Sequence, residues 1–572
     1  LKANGKKNFV FPSNIYLNAN PLKEIVLWRE KKMGAMVMNE NPHCDPDWEE
    51  CPGVIRRQNP ATLELASEVV TFVPEQIPQV IEQARIAQRM WMELPLKTRI
   101  AKIRAVISYI RTHLEAIAWT IASETGKPKV EAINSDIIAG IAAAAYSAEQ
   151  MPNLFQKQNI HFGKLHPFLR FLGRRSYLFY RPLGIIGIIS PWNFPFGIPF
   201  SEVVMAVAAG NAVILKPSSE TPMTGMRIQE IFEDAGFPPH LVQVIPGAGG
   251  KLGRALVTGG VDRIVFTGSA EIGAKIMEMA AQRWVPVTLE LSGKDPMIIL
   301  DDADLDRTLQ GALWGAFVNS GQMCVGVKRI YVQHSIYDRF VPEFVKRVKE
   351  LKQGWGWEDP TISVGSLINE QAIREMEGHV QRVVEQGATI LTGGKRNPHL
   401  KGYFFEPTVI GNATQAMDVV QREIFGPIVA IIPFESDEDA IQMANGSEFA
   451  LAGSVWTNDL TRGQRIADIL RSGTITINNV AYTFGLTSTP WGGRGKSGFG
   501  RTHSLLGFHE LMEPHHVHTD RGKFARELWW SPYSAEKLRV NYDFLDLTFM
   551  HNYRGLFGKL KRIWANLKKR GN

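Results

Sequence analysis

The chain has 572 residues, 44% hydrophobic and 21% charged. These proportions fit a globular protein with several packed units and exclude a fibrous repeat, general disorder or a small binding module. Three cysteines in that length cannot build a disulfide framework, and the net charge of +7 is local, because residues 521–572 hold 12 Lys+Arg against 4 Asp+Glu. The remainder is slightly acidic, which excludes a basic nucleic-acid-binding body.

Residues 1–52 read as an irregular extension, acidic and proline-interrupted over 40–52, in which Met33, Met36 and Met38 are each a candidate start and Cys44 and Cys51 are set apart from the third cysteine. Apolar residues then recur at helical spacing over 78–149, as in Ile103, Val106, Ile107, Ile110, Leu114 and Ile117, which predicts amphipathic helices. Residues 139–148 are alanine-rich and far short of the ~20 residues that cross a bilayer, so they are expected in a buried helix. Around Gly173, residues 161–181 alternate in a hairpin-like pattern.

Short apolar runs at 185–189, 212–215, 241–245 and 263–266 each precede a turn and a helix-compatible segment, the pattern of a doubly wound parallel sheet. A second set at 297–300, 329–332, 429–433, 453–456 and 474–478 predicts another α/β unit. Several strand ends carry chemistry. Asn193, in Pro191-Trp192-Asn193-Phe194-Pro195, either caps the next helix or donates to an oxyanion. Lys216 ends its strand before Pro217-Ser218-Ser219 and suits the hydroxyls or phosphate of a nucleotide, unless it is simply solvated. Gly268 permits a tight turn, after which Ser269 opens a helix toward an anion.

Glu290, in Leu289-Glu290-Leu291-Ser292-Gly293-Lys294, is a carboxylate among apolar residues, hence a proton acceptor near neutral pH or a partner of Lys294. Cys324, in Gly321-Gln322-Met323-Cys324, is either a nucleophile or an inert core thiol. Glu423 and Phe425 share one turn, and residues 490–498 form a glycine-rich loop.

Taken together and in this order, these segments resemble the aldehyde dehydrogenase superfamily over roughly residues 59–517. The resemblance implies an α/β fold with a Rossmann-like, parallel-sheet NAD(P)-binding domain (53–160 and 182–292), an α/β catalytic domain (293–484) and a bridging oligomerisation region of strands (161–181 and 485–520). It implies a homodimer or homotetramer acting on a small-molecule aldehyde with NAD or NADP, and no metal site. By the same match Cys324 attacks the aldehyde, Asn193 and the Cys324 N–H hold the oxyanion, and Glu290 activates the water that hydrolyses the thioester. Lys216 binds the adenosine ribose, Trp192 and Ser269 flank the pyrophosphate path, Ser219 and Gly268 also belong to the cofactor site, and Glu423 and Phe425 hold the nicotinamide ribose and ring.

Glu290 argues against the CoA-acylating branch, which lacks this base. A CoA-acylating semialdehyde dehydrogenase and a catalytically silent scaffold at a membrane surface are the alternatives to hydrolytic oxidation. The sequence departs from the family pattern at three places. Ser219 stands where NAD-preferring members often carry a glutamate, which removes a repulsion from the 2′-phosphate of NADP. Ser292 replaces a usual glycine and is expected to crowd the nicotinamide or reposition Glu290. Thr502 stands where some members carry a proton-relaying glutamate. The aldehyde tunnel is expected near Phe196, Val318, Met323 and Phe484, whose apolar character suits an apolar substrate.

In the C-terminal extension, 521–572, one helical stripe is expected from Phe549, Tyr553, Leu556, Leu560, Ile563 and Leu567. Arg554, Lys561, Arg562, Lys568 and Lys569 fall largely outside it, and Trp529, Trp530 and Trp564 add amphipathic rings. Such a tail either touches an anionic membrane or packs on protein. The expected location is cytoplasmic, with the tail as a peripheral membrane contact.

Overall fold

The computed structural model describes residues 53–163, 169–170, 173–522, 527 and 529–568. The extension expected over 1–52, with Cys44 and Cys51, and Lys569 of the tail lie outside the described residues. The chain divides into two compact units, Leu1–Gln150 with Leu183–Leu511, and Met151–Pro182 with Met512–Asn572.

The helical periodicity becomes the helices Ile77–Glu93, Leu96–Thr112 and Leu114–Thr125 of the first unit and the helix Ile138–Leu154, whose last four residues are assigned to the second. Ile103, Val106, Ile110 and Ile117 are buried, as are the alanines at 139, 143, 144 and 148. The apolar runs after residue 184 form a six-stranded sheet. Its spatial order is Gly498–Phe499, Val287–Glu290, Arg263–Thr267, Ile185–Ile189, Ala212–Lys216, Val242–Val244. All neighbours are parallel except the first pair. Strands covered by helices on both faces are buried throughout, which is why they read as unbroken β-branched runs.

The second set of runs makes a seven-stranded sheet. Its order is Thr389–Thr392, Thr408–Gly411, Ile428–Phe434, Val327–Gln333, Asp295–Ile299, Ala452–Trp456, Thr474–Ile477. Only the edge strand Thr389–Thr392 runs antiparallel. That strand and its neighbour Thr408–Gly411 are short and were not foreseen. Residues 485–511, expected in the bridging region, lie in the first unit, where Gly498–Phe499 pairs with the strand ending at Glu290.

The second unit contains a three-stranded antiparallel sheet. Arg175–Pro182 lies between Gln158–Asn159 and Met512–Thr519, so the partners of the strand after Gly173 come from outside the range 161–181. The tail forms two helices, Ala535–Thr548 and Leu556–Lys568. The single stripe expected from Phe549 onward is interrupted, with His551 at φ 52° and Gly555 at φ 70° in the link. Ile563 and Leu567 are buried against Val540 of the first tail helix, whereas Phe557, Leu560 and Trp564 are exposed.

Candidate active site

Parallel α/β sheets place functional groups at the carboxyl ends of their strands. Glu290 is the last residue of Val287–Glu290, and Lys216 ends Ala212–Lys216. Cys324 lies in the turn before Val327–Gln333, after an unusual loop in which Asn319, Ser320 and Gly321 all have positive φ, at 50°, 55° and 70°. Two consecutive non-glycine residues in the left-handed region cost of order 1–3 kcal/mol each, so surrounding bonds must hold them. The Asn319 N–H donates to the Glu131 carboxylate at 3.0 Å, and Lys328 Nζ donates to the carbonyls of Gly321 and Gly426. At Gly321 a Cβ would stand 2.2 Å from the Gly426 oxygen, and at Gly293 one would stand 2.1 Å from the Cys324 oxygen. Bare backbone at both positions lets the thiol loop close against its neighbours.

Asn193 is buried, and its Nδ2 donates to the Gln322 carbonyl at 3.1 Å. The next helix, Gly197–Ala208, has Phe196 as its N-cap residue, and its first N–H groups donate to Asp136. Asn193 is therefore not the cap. Asp136 also pairs with Lys127 at 2.7 Å, both side chains fully buried, and Lys127 Nζ donates to the Asn193 carbonyl at 2.7 Å and lies 4.4 Å above the Phe194 ring. Asn319 Nδ2 donates to the same carbonyl and to that of Gln322. This buried network ties the Asn193 segment to the thiol loop. It includes the π-helical turn Ala132–Ile137, a type of irregularity frequent at functional sites.

Glu290 and Cys324 line one pocket of about 470 Å³. Neither carboxylate oxygen of Glu290 has a hydrogen-bond partner, so the ion pair with Lys294 that the sequence left open does not form. Burial, then the like charge of Glu202, pushes Glu290 well above the ordinary carboxylate range, with Arg501 opposing. Burial, then Asp295, Glu290 and Glu423, pushes the Cys324 thiol up to about 12. The thiol is free and half-buried. Met323 and Phe484 line the pocket as expected, but Phe196 and Val318 do not. Phe196 is buried and stacked on Phe200, with centroids 4.8 Å apart, and Val318 belongs to the core beside the thiol loop.

The remaining groups form a second cluster. Trp192 and Phe425 meet edge to face, centroids 5.4 Å apart. Burial pushes the Glu423 carboxyl up, opposed by the Ser292 hydroxyl, by Lys328 and Lys294 and by the Gly293 N–H. Ser292 Oγ accepts from the Ala270 N–H at 3.3 Å, and Glu290 keeps both oxygens free of bonds. Lys216 is buried, donates to the Pro217 carbonyl at 2.8 Å, and is pulled down to about 8 by desolvation. Gly268 leaves no room for a Cβ, which would lie 2.5 Å from the Phe266 ring. Ser269 caps the helix Ala270–Ala281 by accepting from the Ile272 N–H, and is itself exposed. A buried cation at a strand end, an open helix N-terminus and an aromatic pair suit a dinucleotide.

Residues 48–517 match the aldehyde dehydrogenase family. The chain belongs to that family. This aldehyde dehydrogenase is 36% identical over 440 residues to a Mycobacterium tuberculosis protein named for succinate-semialdehyde dehydrogenase [NADP(+)] activity, covering 77% of this chain and 83% of that one. It is 34% identical over 477 residues to the 4,4'-diapolycopene aldehyde oxidase of a Methylomonas species, covering 83% and 88%. Among solved structures, the NAD+ complex of a Bacillus cereus aldehyde dehydrogenase superposes with a TM-score of 0.78 at 33% identity, covering 82% of this chain and 93% of that chain. The protein is an NAD(P)-dependent oxidoreductase that converts an aldehyde to the carboxylic acid.

The dehydrogenase also contains site residues that sequence reasoning missed. Arg57, on the strand Val54–Gln58, donates from Nε to the Ser219 carbonyl and stands 3.8 Å from the Glu220 carboxylate. Glu202 lines the pocket beside Glu290. His503 lines it as well, with Nδ1 unpartnered, its ring 4.6 Å from Phe484, and burial pulling it down to about 4. For Asp136 and Glu202 the only local signal was a charged residue inside a run of buried helix, and Lys127 sits in the short link between two helices. No helix among the described residues is long and apolar enough to cross a membrane, and among them no cluster of His, Cys, Asp and Glu could hold a metal.

Proposed function

We propose that this enzyme oxidises a neutral, apolar aldehyde by a hydrolytic route with Cys324 as nucleophile and Glu290 as base. The observation that carries this reading is one pocket holding a half-buried thiol and a carboxylate whose oxygens have no protein partner. A carboxyl kept without partners and pushed upward in pKa is suited to take a proton from water near neutral pH. Cys324 Sγ, as the thiolate, bonds to the aldehyde carbon as the carbonyl electrons move to oxygen, and the oxyanion is held by Asn193 Nδ2 and the Cys324 N–H. The dinucleotide, when bound by the residues assigned below, would supply the hydride acceptor, and the thiohemiacetal on Cys324 would thereby become a thioester. Glu290 then takes a proton from water as the water oxygen bonds to the acyl carbon, and the C–S electrons return to Sγ.

The cofactor domain is assigned to the six-stranded sheet and the catalytic domain to the seven-stranded one. Trp192, Lys216, Ser219, Gly268, Ser269, Glu423 and Phe425 are assigned to the dinucleotide. Arg57 beside Ser219 supplies the cation that a 2′-phosphate requires, which favours NADP.

The substrate class follows from charge. Among the described residues lining the pocket there is no Lys or Arg, while Glu131, Glu202 and Glu290 are present among Phe194, Ile198, Trp314 and other apolar groups. A semialdehyde bearing a second carboxylate would be buried there without a counter-ion, at a cost of several kcal/mol. The test is reduced-cofactor formation with NAD+ and NADP+ across acetaldehyde, octanal, dodecanal and succinate semialdehyde, with Cys324→Ala as control. Turnover that rises with chain length and fails with the semialdehyde supports the reading. Preference for the semialdehyde overturns the substrate class, and turnover retained by Cys324→Ala overturns the mechanism.

Assembly as a homodimer or homotetramer is proposed from the strand Met512–Thr519, whose outer edge has no strand partner among the described residues and therefore offers backbone groups to another copy. The tail is proposed to lie on anionic lipid. Leu538, Tyr542, Leu545 and Phe549 are exposed at helical spacing, and Phe557 is 88% exposed, beside Arg539, Arg554 and Lys561. A second copy would present the same cations, whereas an anionic bilayer complements them. Co-sedimentation of the full chain with phosphatidylglycerol vesicles, and not with phosphatidylcholine alone, is the expected result.

A further inference from the structure

Glu202 is the one acid on the helix Gly197–Ala208, whose twelve residues are all buried. Its Oε1 accepts from Thr267 Oγ1 at 3.2 Å, and its Oε2 has no partner. Thr267 is the strand neighbour of Glu290, so the two carboxyls flank one residue at the floor of the substrate pocket. Glu202 also lines a second, separate cavity of about 20 Å³, together with Arg501, Thr502, His503 and Glu510. That volume admits about one water molecule. Glu510 accepts from Arg263 and is about one-third exposed, at 34%. Glu202 is thus the acid shared by the pocket of the chemistry and a small, mostly apolar cavity whose polar lining includes the partly solvated Glu510. The hydroxyl of Thr502 and Nδ1 of His503 also lack partners.

Each hydrolysis leaves a proton on Glu290 that must go before the next turnover. Two like-charged carboxyls in a dry site do not both ionise, and titrate as a pair. We propose that Glu202 receives the proton from Glu290 and releases it through the small cavity toward Glu510. The water proton held by Glu290 passes to Glu202, then to a water in the cavity, then to solvent. No bond other than these O–H bonds changes, and no further reactant is required. Glu202 acts through Glu290 rather than on the reacting atoms. The groups facing it are Thr267 and Glu290 from the sheet and Arg501, Thr502, His503 and Glu510 from the segment beyond. The proposal rests on the assignment of Cys324 and Glu290 above.

The test uses p-nitrophenyl acetate, which acylates a nucleophilic thiol without cofactor, so that a nitrophenolate burst reports acylation and the steady phase reports thioester hydrolysis. In Glu202→Gln the burst is expected to keep its amplitude, while the steady phase falls at least ~10-fold, in line with loss of assisted proton transfer. The acid limb of the steady phase is expected to move to lower pH, because the like charge that raises Glu290 is gone, and Glu202→Asp is expected to recover part of the rate. A steady phase and acid limb unchanged in Glu202→Gln would overturn the proposal, as would burst and steady phase falling together, which is the mark of a structural role. Failure of the underlying assignment is separately visible as a burst that survives Cys324→Ala.

Discussion

The pocket floor and the C-terminal helix pair depart from ordinary protein packing in opposite directions. At the floor, Glu202, Glu290, Thr502 and His503 are buried with polar atoms that have no partner. In the tail, Leu538, Tyr542, Phe549 and Phe557 are apolar and face solvent. Each arrangement costs free energy in the isolated fold, and each is what a site requires that completes itself on meeting something else: a substrate, water and a proton in one case, a surface in the other. The difference also predicts how each region responds to substitution. Changes at the floor should alter chemistry with little effect on folding, and changes in the tail should alter location with little effect on either.

The largest effect is expected at the thiol. Cys324→Ala should lower reduced-cofactor formation by about 10⁴-fold or more, with cofactor binding retained in a fluorescence titration. Glu290→Gln should reduce steady turnover by ~10²–10⁴ while leaving the first-turnover burst and the melting temperature in place. The wild-type rate should climb with pH, because only the deprotonated carboxyl can accept a proton and burial raises its titration. In Glu290→Gln this acid limb should disappear. A burst lost together with turnover would break the contrast between floor and scaffold.

Lys127→Met should do the reverse, lowering stability by about 3–5 kcal/mol through an orphaned, buried Asp136, as read by denaturant unfolding. Arg57→Ala should weaken NADPH by roughly tenfold, about 1.5 kcal/mol, and leave NADH unchanged by calorimetry. The smallest effect on folding is expected for Phe557→Asp, within about 0.5 kcal/mol, with turnover intact and capture by anionic vesicles reduced. Vesicle binding undiminished in that variant would place the docking face elsewhere.

Much of this molecule is legible in its sequence because buried parallel strands leave continuous apolar runs, and the ends of those runs are where chemistry collects. Glu290, Lys216 and the Gly268-Ser269 turn lie at such ends, and the strands carrying Lys216 and the turn appear within a residue of expectation. Cys324 was legible as a lone thiol amid glycine and patterned core. What escaped depends on contacts between distant segments. Lys127 meets Asn193 across 66 positions and Arg57 meets Ser219 across 162, and neither residue has a local pattern that marks it. The tail failed differently. Its periodicity was real, but Gly555 at a left-handed angle breaks the stripe into two helices, so that Ile563 and Leu567 turn inward and Phe557 outward.

The solitary condition of the Glu290 carboxylate also bears on descent. A side chain that accepts no hydrogen bond in the protein can be exchanged without breaking one, whereas Gly293, three residues on, cannot accept even a methyl group against the Cys324 carbonyl. On the roles proposed for Cys324 and Glu290, the geometry that delivers an acyl group to sulfur leaves little room for change, and what removes that group depends on one side chain with no hydrogen-bonded neighbour. A lineage could pass from water to another acceptor by one codon without having to rebuild its fold.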